Sequence, residues 1–115
     1  MIPYIVELLK ENTLTVSDID LIATNIGPGS FTGIRAGAVT ARTLAQFDNI
    51  PIVGIPSLEI YAHASDIQGK KAVILDAKRS KWYLAAYSED NTEQKEPTLL
   101  DKDTVLEFIE SENPF

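Results

Sequence analysis

The sequence predicts an α/β fold, and three features carry that prediction. A strand, a helix and a second strand follow one another between Leu21 and Ile55, the order of a crossover unit. Two β-rich runs separated by a polar turn lie between Ala72 and Tyr87. Other segments repeat their apolar residues at helical spacing. With 44% apolar and 23% charged residues over 115 positions, the chain has the balance of an ordinary globular protein, and its length allows one domain or pieces of two.

The elements follow in order. "PYIVELLKEN" puts Tyr4, Ile5, Leu8 and Leu9 on one helical face, with Pro3 suited to the first turn. A polar turn then leads into a strand from Leu21 to Ile26, whose lack of strict alternation implies burial on both faces. "TGIRAGAVTARTLAQF" predicts a helix over Thr32 to Phe47, with Gly33, Ile34, Gly37, Ala38, Ala41, Leu44 and Ala45 in one sector and Arg35, Arg42 and Gln46 opposite. "PIVGI" is a second strand, and a right-handed parallel crossover is the expected topology. "PSLEIYAHAS" predicts another helix. Ala72 to Asp76 and Trp82 to Tyr87 form the expected hairpin, "EDNTEQKEP" an acidic loop, and "DKDTVLEFIES" a closing amphipathic helix.

Charge and composition exclude several function classes. Seventeen acids against ten bases give a net charge of -7, a field that repels polyanions, so direct nucleic-acid binding by the chain alone is not expected. The absence of cysteine excludes a disulfide framework, a thiol nucleophile and a thiolate metal site. No apolar run approaches the roughly 20 residues of a membrane span. The start "MIPYIVELLKEN" lacks a basic leader with a small-residue cleavage site, and a cytoplasmic location without membrane contact is expected.

The segment "NIGPGSFTGIR" poses the functional question. A glycine-rich turn from strand to helix can bind anions, because unpaired amides and the helix dipole face outward there. Gly27, Pro28, Gly29, Ser30, Phe31, Thr32 and Gly33 shape such a loop, and it is a candidate anion site. It is no P-loop, since no Gly-Lys-Ser/Thr ends it. It misses the dinucleotide fingerprint, because Gly33 comes one residue late and Ile55 and Pro56 stand where an acid belongs after the next strand. Pro28 occupies the place of the first glycine of a nucleophile elbow, so Ser30 is not in one. The spacing favours a turn and cap over catalysis.

The helix that follows carries a stripe of small residues, Gly33, Gly37, Ala41 and Ala45. Gly37 costs about 1 kcal/mol against alanine in a helix interior, so something packs close to the backbone. The stripe meets either the chain's own sheet or another subunit. His63 is the only histidine, which leaves no triad and no multi-histidine metal site within the chain. Asp76 at a strand end suits a hydrogen bond to the following turn better than a general-base or magnesium role. Lys70, Lys71, Lys78, Arg79 and Lys81, next to Trp82 and Tyr83, form either a solvated hairpin tip or a contact for a phosphate backbone or an acidic partner.

"GPGSFTGIRAG", "LAQFDNIPIVGIPSLE" and "LDAKRSKWYLAAY" together resemble, in order and spacing, the TsaB (YeaZ) family of the bacterial tRNA threonylcarbamoyladenosine machinery, over about Asp18 to Tyr87. The resemblance implies partial ribonuclease-H-like lobes of the actin, sugar-kinase and heat-shock ATPase superfamily. Residues 1–65 would be the later half of the first lobe, and residues 66–115 the start of the second. By comparison with the family the chain resembles an internal fragment: it begins inside the family's first long helix, without the nucleotide-loop strand before it, and ends partway into the second lobe. Ala36 stands where the family has a larger aliphatic residue.

The resemblance also implies a non-catalytic paralogue of TsaD. TsaD-like proteins bind a metal through two histidines in a segment aligned with "IPSLEIY", and Ser57 and Tyr61 stand at those positions. The implied function is a dimerisation or scaffold subunit, not an enzyme, with no cofactor of its own and with ATP and metal on the TsaD partner. The implied partners are a TsaD-like catalytic subunit, a TsaE-like ATPase through the complex, or a second copy of the chain. Gly33, Arg35, Gly37, Ala41 and Ala45 would form the helical interface. The alternatives are a glycoprotease-like or ATP-hydrolysing enzyme, and a degenerate fragment without function.

Overall fold

A computed structural model describes residues 1–111 of the chain. Its contacts separate two units, one of Met1–Ile26 with Ser30–Ile55, the other of Gly27–Gly29 with Pro56 onward.

The first unit starts with helix α1 (Ile2–Glu11). Pro3 sits in its first turn, Lys10 complements the dipole in its last, and the Asn12 side-chain amide donates to the Leu8 carbonyl at 2.8 Å. Of the four residues expected on its apolar face, Ile5 and Leu9 are half-buried, while Tyr4 and Leu8 are exposed. A 3₁₀ turn over Val16–Asp18 follows, in which Asp18 accepts from the Thr15 hydroxyl at 2.7 Å and its amide at 2.8 Å. Those two bonds, hydroxyl first, hold the Asp18 carboxyl below its usual range.

Strand β1 (Ile22–Gly27) and strand β2 (Ile52–Pro56) pair as a two-stranded sheet on either side of helix α2 (Phe31–Asp48). The Ile22 amide donates to the Pro51 carbonyl at 2.9 Å. Ser30 caps α2 by accepting from the Gly33 amide at 3.4 Å. Asn49 ends it in the left-handed region at φ 55°, a conformation asparagine tolerates better than most side chains. The helix runs one residue beyond the expected Thr32 and Phe47 at each end.

The second unit contains helix α3 (Ser57–Ala64) and an antiparallel sheet of β3 (Lys71–Asp76), β4 (Lys81–Tyr87) and β5 (Glu93–Asp101), in the order β3-β4-β5. Helix α4 (Lys102–Glu110) closes it, capped by Asp101 through the Thr104 amide at 3.0 Å. The hairpin register pairs Lys71 with Tyr87 and Asp76 with Trp82. The helix at 57–64, grouped by sequence with the elements before it, packs on β3 and β4.

The stretch expected to be an acidic loop, residues 89–97, is corrected by the structure. Only its first part turns, and a nine-residue strand begins at Glu93. Its charges and Pro97 disguised it, yet both suit a sheet edge, where amides face solvent and charge discourages further pairing. Between the pairs Leu84↔Thr98 and Ala86↔Lys95, β5 carries one residue more than β4, a bulge at Glu96 and Pro97 where the ladder lacks a donor.

The core of this unit is built on β4. Ala85 and Tyr87 pack with Leu58 and Ala62 of α3, flanked by Val73, Leu75 and Tyr83. Leu84 and Ala86, on the opposite face by strand alternation, are also fully buried, and α4 packs against β4 and β5 with Val105 buried.

Candidate functional site

Helices α1 and α2 line an apolar concavity in the first unit. Gly37 faces β1, but nothing packs so closely that glycine is required: a Cβ there would stand 3.7 Å from the Thr24 hydroxyl, in ordinary contact. Ala41 and Ala45 are buried at 7% and 6% exposure. The inner part of the small-residue stripe therefore faces its own unit. Gly33 and Arg35 are exposed, and the Arg35 guanidinium lies 4.2 Å from the centroid of the Phe31 ring.

Beside that inner stripe, Ile2, Ile5 and Val6 of α1 face Val39, Thr43 and Leu44 of α2 across a groove of about 200 Å³. Its rim is open, with Ile2 63% and Val39 65% exposed. Phe31, at the start of α2, and Phe47, near its end, are also exposed. An apolar groove open to solvent in this way marks association surfaces in soluble proteins. Sequence reasoning named the small stripe and missed Val39 and the α1 wall. A helical wheel ranks residues within one helix but does not say which flank a second helix leaves uncovered.

The glycine loop turns the chain and starts α2. Gly27 takes φ 95°, a backbone region that side chains rarely adopt. Pro28 and Gly29 follow it, Ser30 supplies the cap, and Phe31, Thr32 and Gly33 form the first turn of the helix. The loop thus has a complete structural role as a turn and cap.

The residues considered for chemistry are dispersed. Ser57 is buried at the start of α3, Tyr61 is exposed, and the exposed His63 ring lies 3.5 Å from the Asn91 side-chain amide. Asp76 accepts from the Lys78 amide at 2.7 Å, the turn role expected for it. The five clustered cations do not stay together. Lys71 lies opposite Tyr87 and donates to Asn91 at 2.7 Å, whereas Lys78, Arg79 and Lys81 lie at the other end of β3. Among the described residues no three His, Cys, Asp or Glu side chains form a group able to hold a metal ion, and no helix is long and apolar enough to cross a membrane.

Like Asp18, Asp101 has its carboxyl lowered by hydrogen bonds, here from the Thr104 amide and hydroxyl, and Asp90 and Tyr87 titrate furthest from their ordinary values. Hydrogen bonds from Ser88 and Thr92 lower the Asp90 carboxyl to about 2. Burial first, then the charges of Glu93 and Glu59, pushes the Tyr87 phenol up to about 12. Tyr87 is 1% exposed, and its hydroxyl has no hydrogen-bond partner among the described residues.

Comparison with known proteins places this geometry. The family model described as TsaD, tRNA N6-adenosine threonylcarbamoyltransferase, matches residues 1–108. The tRNA threonylcarbamoyladenosine biosynthesis protein TsaB of Bacillus subtilis is 36% identical over 90 residues, covering 77% of this chain and 39% of the relative. The solved structure of YeaZ from Pseudomonas aeruginosa is similar with a TM-score of 0.70 and 28% identity, over 88% of this chain and 47% of that one. A second Pseudomonas aeruginosa structure, titled an uncharacterized protein with similarity to peptidase YEAZ, gives 0.77 and 25%, over 87% and 49%. The chain thus spans less than half the length of these relatives, and its α/β fold is a partial form of theirs.

Proposed function

Because the chain belongs to the TsaB/YeaZ family, we propose that it serves tRNA threonylcarbamoyladenosine biosynthesis as a non-catalytic subunit, pairing through its α1–α2 face with a TsaD-type protein that carries the catalytic chemistry. The observation that carries this reading is the open apolar groove between the two helices, with Val39 and Ile2 exposed on its rim. Burying such side chains against a partner is favourable by about 25 cal/mol per Å² of apolar surface removed from water.

The chain's own chemistry supports a scaffolding role. Acyl or phosphoryl transfer needs an activated nucleophile, a metal or a preorganised set of donors. This chain offers one histidine and no cysteine, and Ser57 and Tyr61 stand where the resemblance places the metal-binding histidines of TsaD-like proteins. ATP and metal then belong to the partner, and a TsaE-like ATPase joins through the assembled complex. A second copy of this chain competes for the same groove.

The test is co-expression with the TsaD-type protein of the same organism, followed by size-exclusion chromatography with light scattering. A stoichiometric complex is expected, and Val39→Glu should abolish it while leaving the circular dichroism spectrum unchanged. In cells depleted of their TsaB-type protein, the wild-type chain should restore threonylcarbamoyladenosine in digested tRNA. Undiminished pairing of Val39→Glu, or failure to restore the nucleoside, overturns the proposal.

A further inference from the structure

We propose that the tip of the β3–β4 hairpin, Lys78 to Lys81, is a contact for the phosphate backbone of RNA. The inference rests on the tRNA-directed role proposed above and concerns a different surface. Three observations carry it.

The first is conformational. Lys78, Arg79 and Ser80 take φ values of 66°, 53° and 59°, three consecutive non-glycine residues in the left-handed region. Asparagine and glycine would make such a turn with less strain. Non-glycine side chains at strained positions are a pointer to a use for those side chains.

The second is the division of labour at this end of the sheet. The neighbouring acids hold backbone: Asp76 accepts from the Lys78 amide at 2.7 Å, and Asp101 accepts from the Thr104 amide at 3.0 Å to cap α4. Lys81 lies opposite Asp101 and interacts with its charge, whereas Lys78 and Arg79 hold little. Lys78 reaches Asp76 only at 3.7 Å with its side chain 85% exposed, and the exposed Arg79 makes no hydrogen bond or ion pair among the described residues. An exposed pair at that distance contributes little and exchanges readily for a phosphate.

The third is charge placement. The turn at the other end of β4 carries Glu89, Asp90 and Glu93, roughly 20 Å from the tip at the rise of an extended strand. Lys71 and Lys95 lie among those acids, and Asp76 and Asp101 lie near the tip, so charges mix at both ends; Lys78, Arg79 and Lys81 are a local concentration of positive charge on a chain of net charge -7. A polyanion is repelled by the molecule as a whole at long range, and the exposed tip cations are where its phosphates can be held at short range. The contact is one of position, not of sequence readout, because phosphate oxygens carry no base identity. It acts in the assembled complex, where a partner supplies further affinity, and agrees with the expectation that the chain alone is a poor nucleic-acid binder.

The experiment compares two double variants of equal charge, Lys78→Gln with Arg79→Gln at the tip and Lys70→Gln with Lys95→Gln elsewhere. A fluorescein-labelled RNA stem–loop is titrated by anisotropy, with the protein at low salt and with its complex with the TsaD-type protein across a salt series. The tip variant should weaken binding about tenfold and lower the salt slope by about two, while the control variant changes neither. Equal behaviour of the two variants, or no RNA binding by the wild-type complex, overturns the inference. A tip variant that loses its protein partner in step with RNA also overturns it, in favour of an acidic protein surface. The proposed function is read separately, from restored nucleoside and from Val39→Glu, so either can fail without the other.

Discussion

The second unit buries Leu58, Ala62, Leu84 and Ala85 completely around β4, whereas the first leaves Tyr4, Phe31, Val39 and Phe47 exposed on its helices. Apolar content does not explain the difference, since both units are rich in aliphatic and aromatic residues. Arrangement does. In the second unit the central strand of three has neighbours on both edges and α3 and α4 packed against the sheet. In the first, two strands carry one long helix, and the outer flank of that helix and the α1 wall meet only a groove. Stability is thus concentrated in one unit, and uncovered apolar surface, the raw material of association, in the other.

The contrast can be broken or sharpened by substitution. Leu58→Ala, in the packed core, should cost about 3 kcal/mol in urea denaturation followed by circular dichroism, while Val39→Ala should stay within about 0.5 kcal/mol. Similar costs at both positions would erase the contrast.

A second prediction uses Tyr87. With the phenol near 12 in the folded state against an ordinary value near 10, the unfolded chain loses its proton first as pH rises. Stability is therefore full below about pH 10 and should fall by about 2 kcal/mol as pH rises to 12. Tyr87→Phe should remove that part of the alkaline loss and be neutral or slightly stabilising at pH 7, because it deletes a buried hydroxyl that has no partner among the described residues.

Smaller effects probe single contacts. In the first unit, Gly54→Ala would place a Cβ 2.5 Å from the Ile26 Cγ2, so the Ile26 side chain or a strand must shift, at a cost of about 1 kcal/mol by the same denaturation assay. In the second, Asp101→Ala removes the cap of α4 and should cost about 1 kcal/mol. Hydrogen exchange should show the Leu84 to Tyr87 amides as the slowest of the chain and those of α1 among the fastest.

Much of this architecture is legible in the residues. Pro3, Ser30 and Asn49 punctuate helices through local backbone chemistry, and the hairpin at Ala72 to Tyr87 is written in two β-rich runs. What escaped was non-local. The strand from Glu93 reads as a loop because its charges and Pro97 are unfavourable until it becomes an edge beside β4. The cations from Lys70 to Lys81 read as one cluster, but an extended strand separates the first pair from the tip.

By itself the sequence determined the α/β class, the helices to within a residue or so at their ends, the turn and cap at the glycine loop, and a family resemblance that the comparisons bear out. These rest on dihedral preferences and spacings confined to a few neighbouring residues. The tertiary structure alone decided that Gly37, Ala41 and Ala45 turn inward while Val39 stays open, and that, among the described residues, the buried Tyr87 hydroxyl has no partner and Arg79 at the strained tip has none. Burial and pairing are properties of what another segment brings close, and spacing along one segment does not encode them.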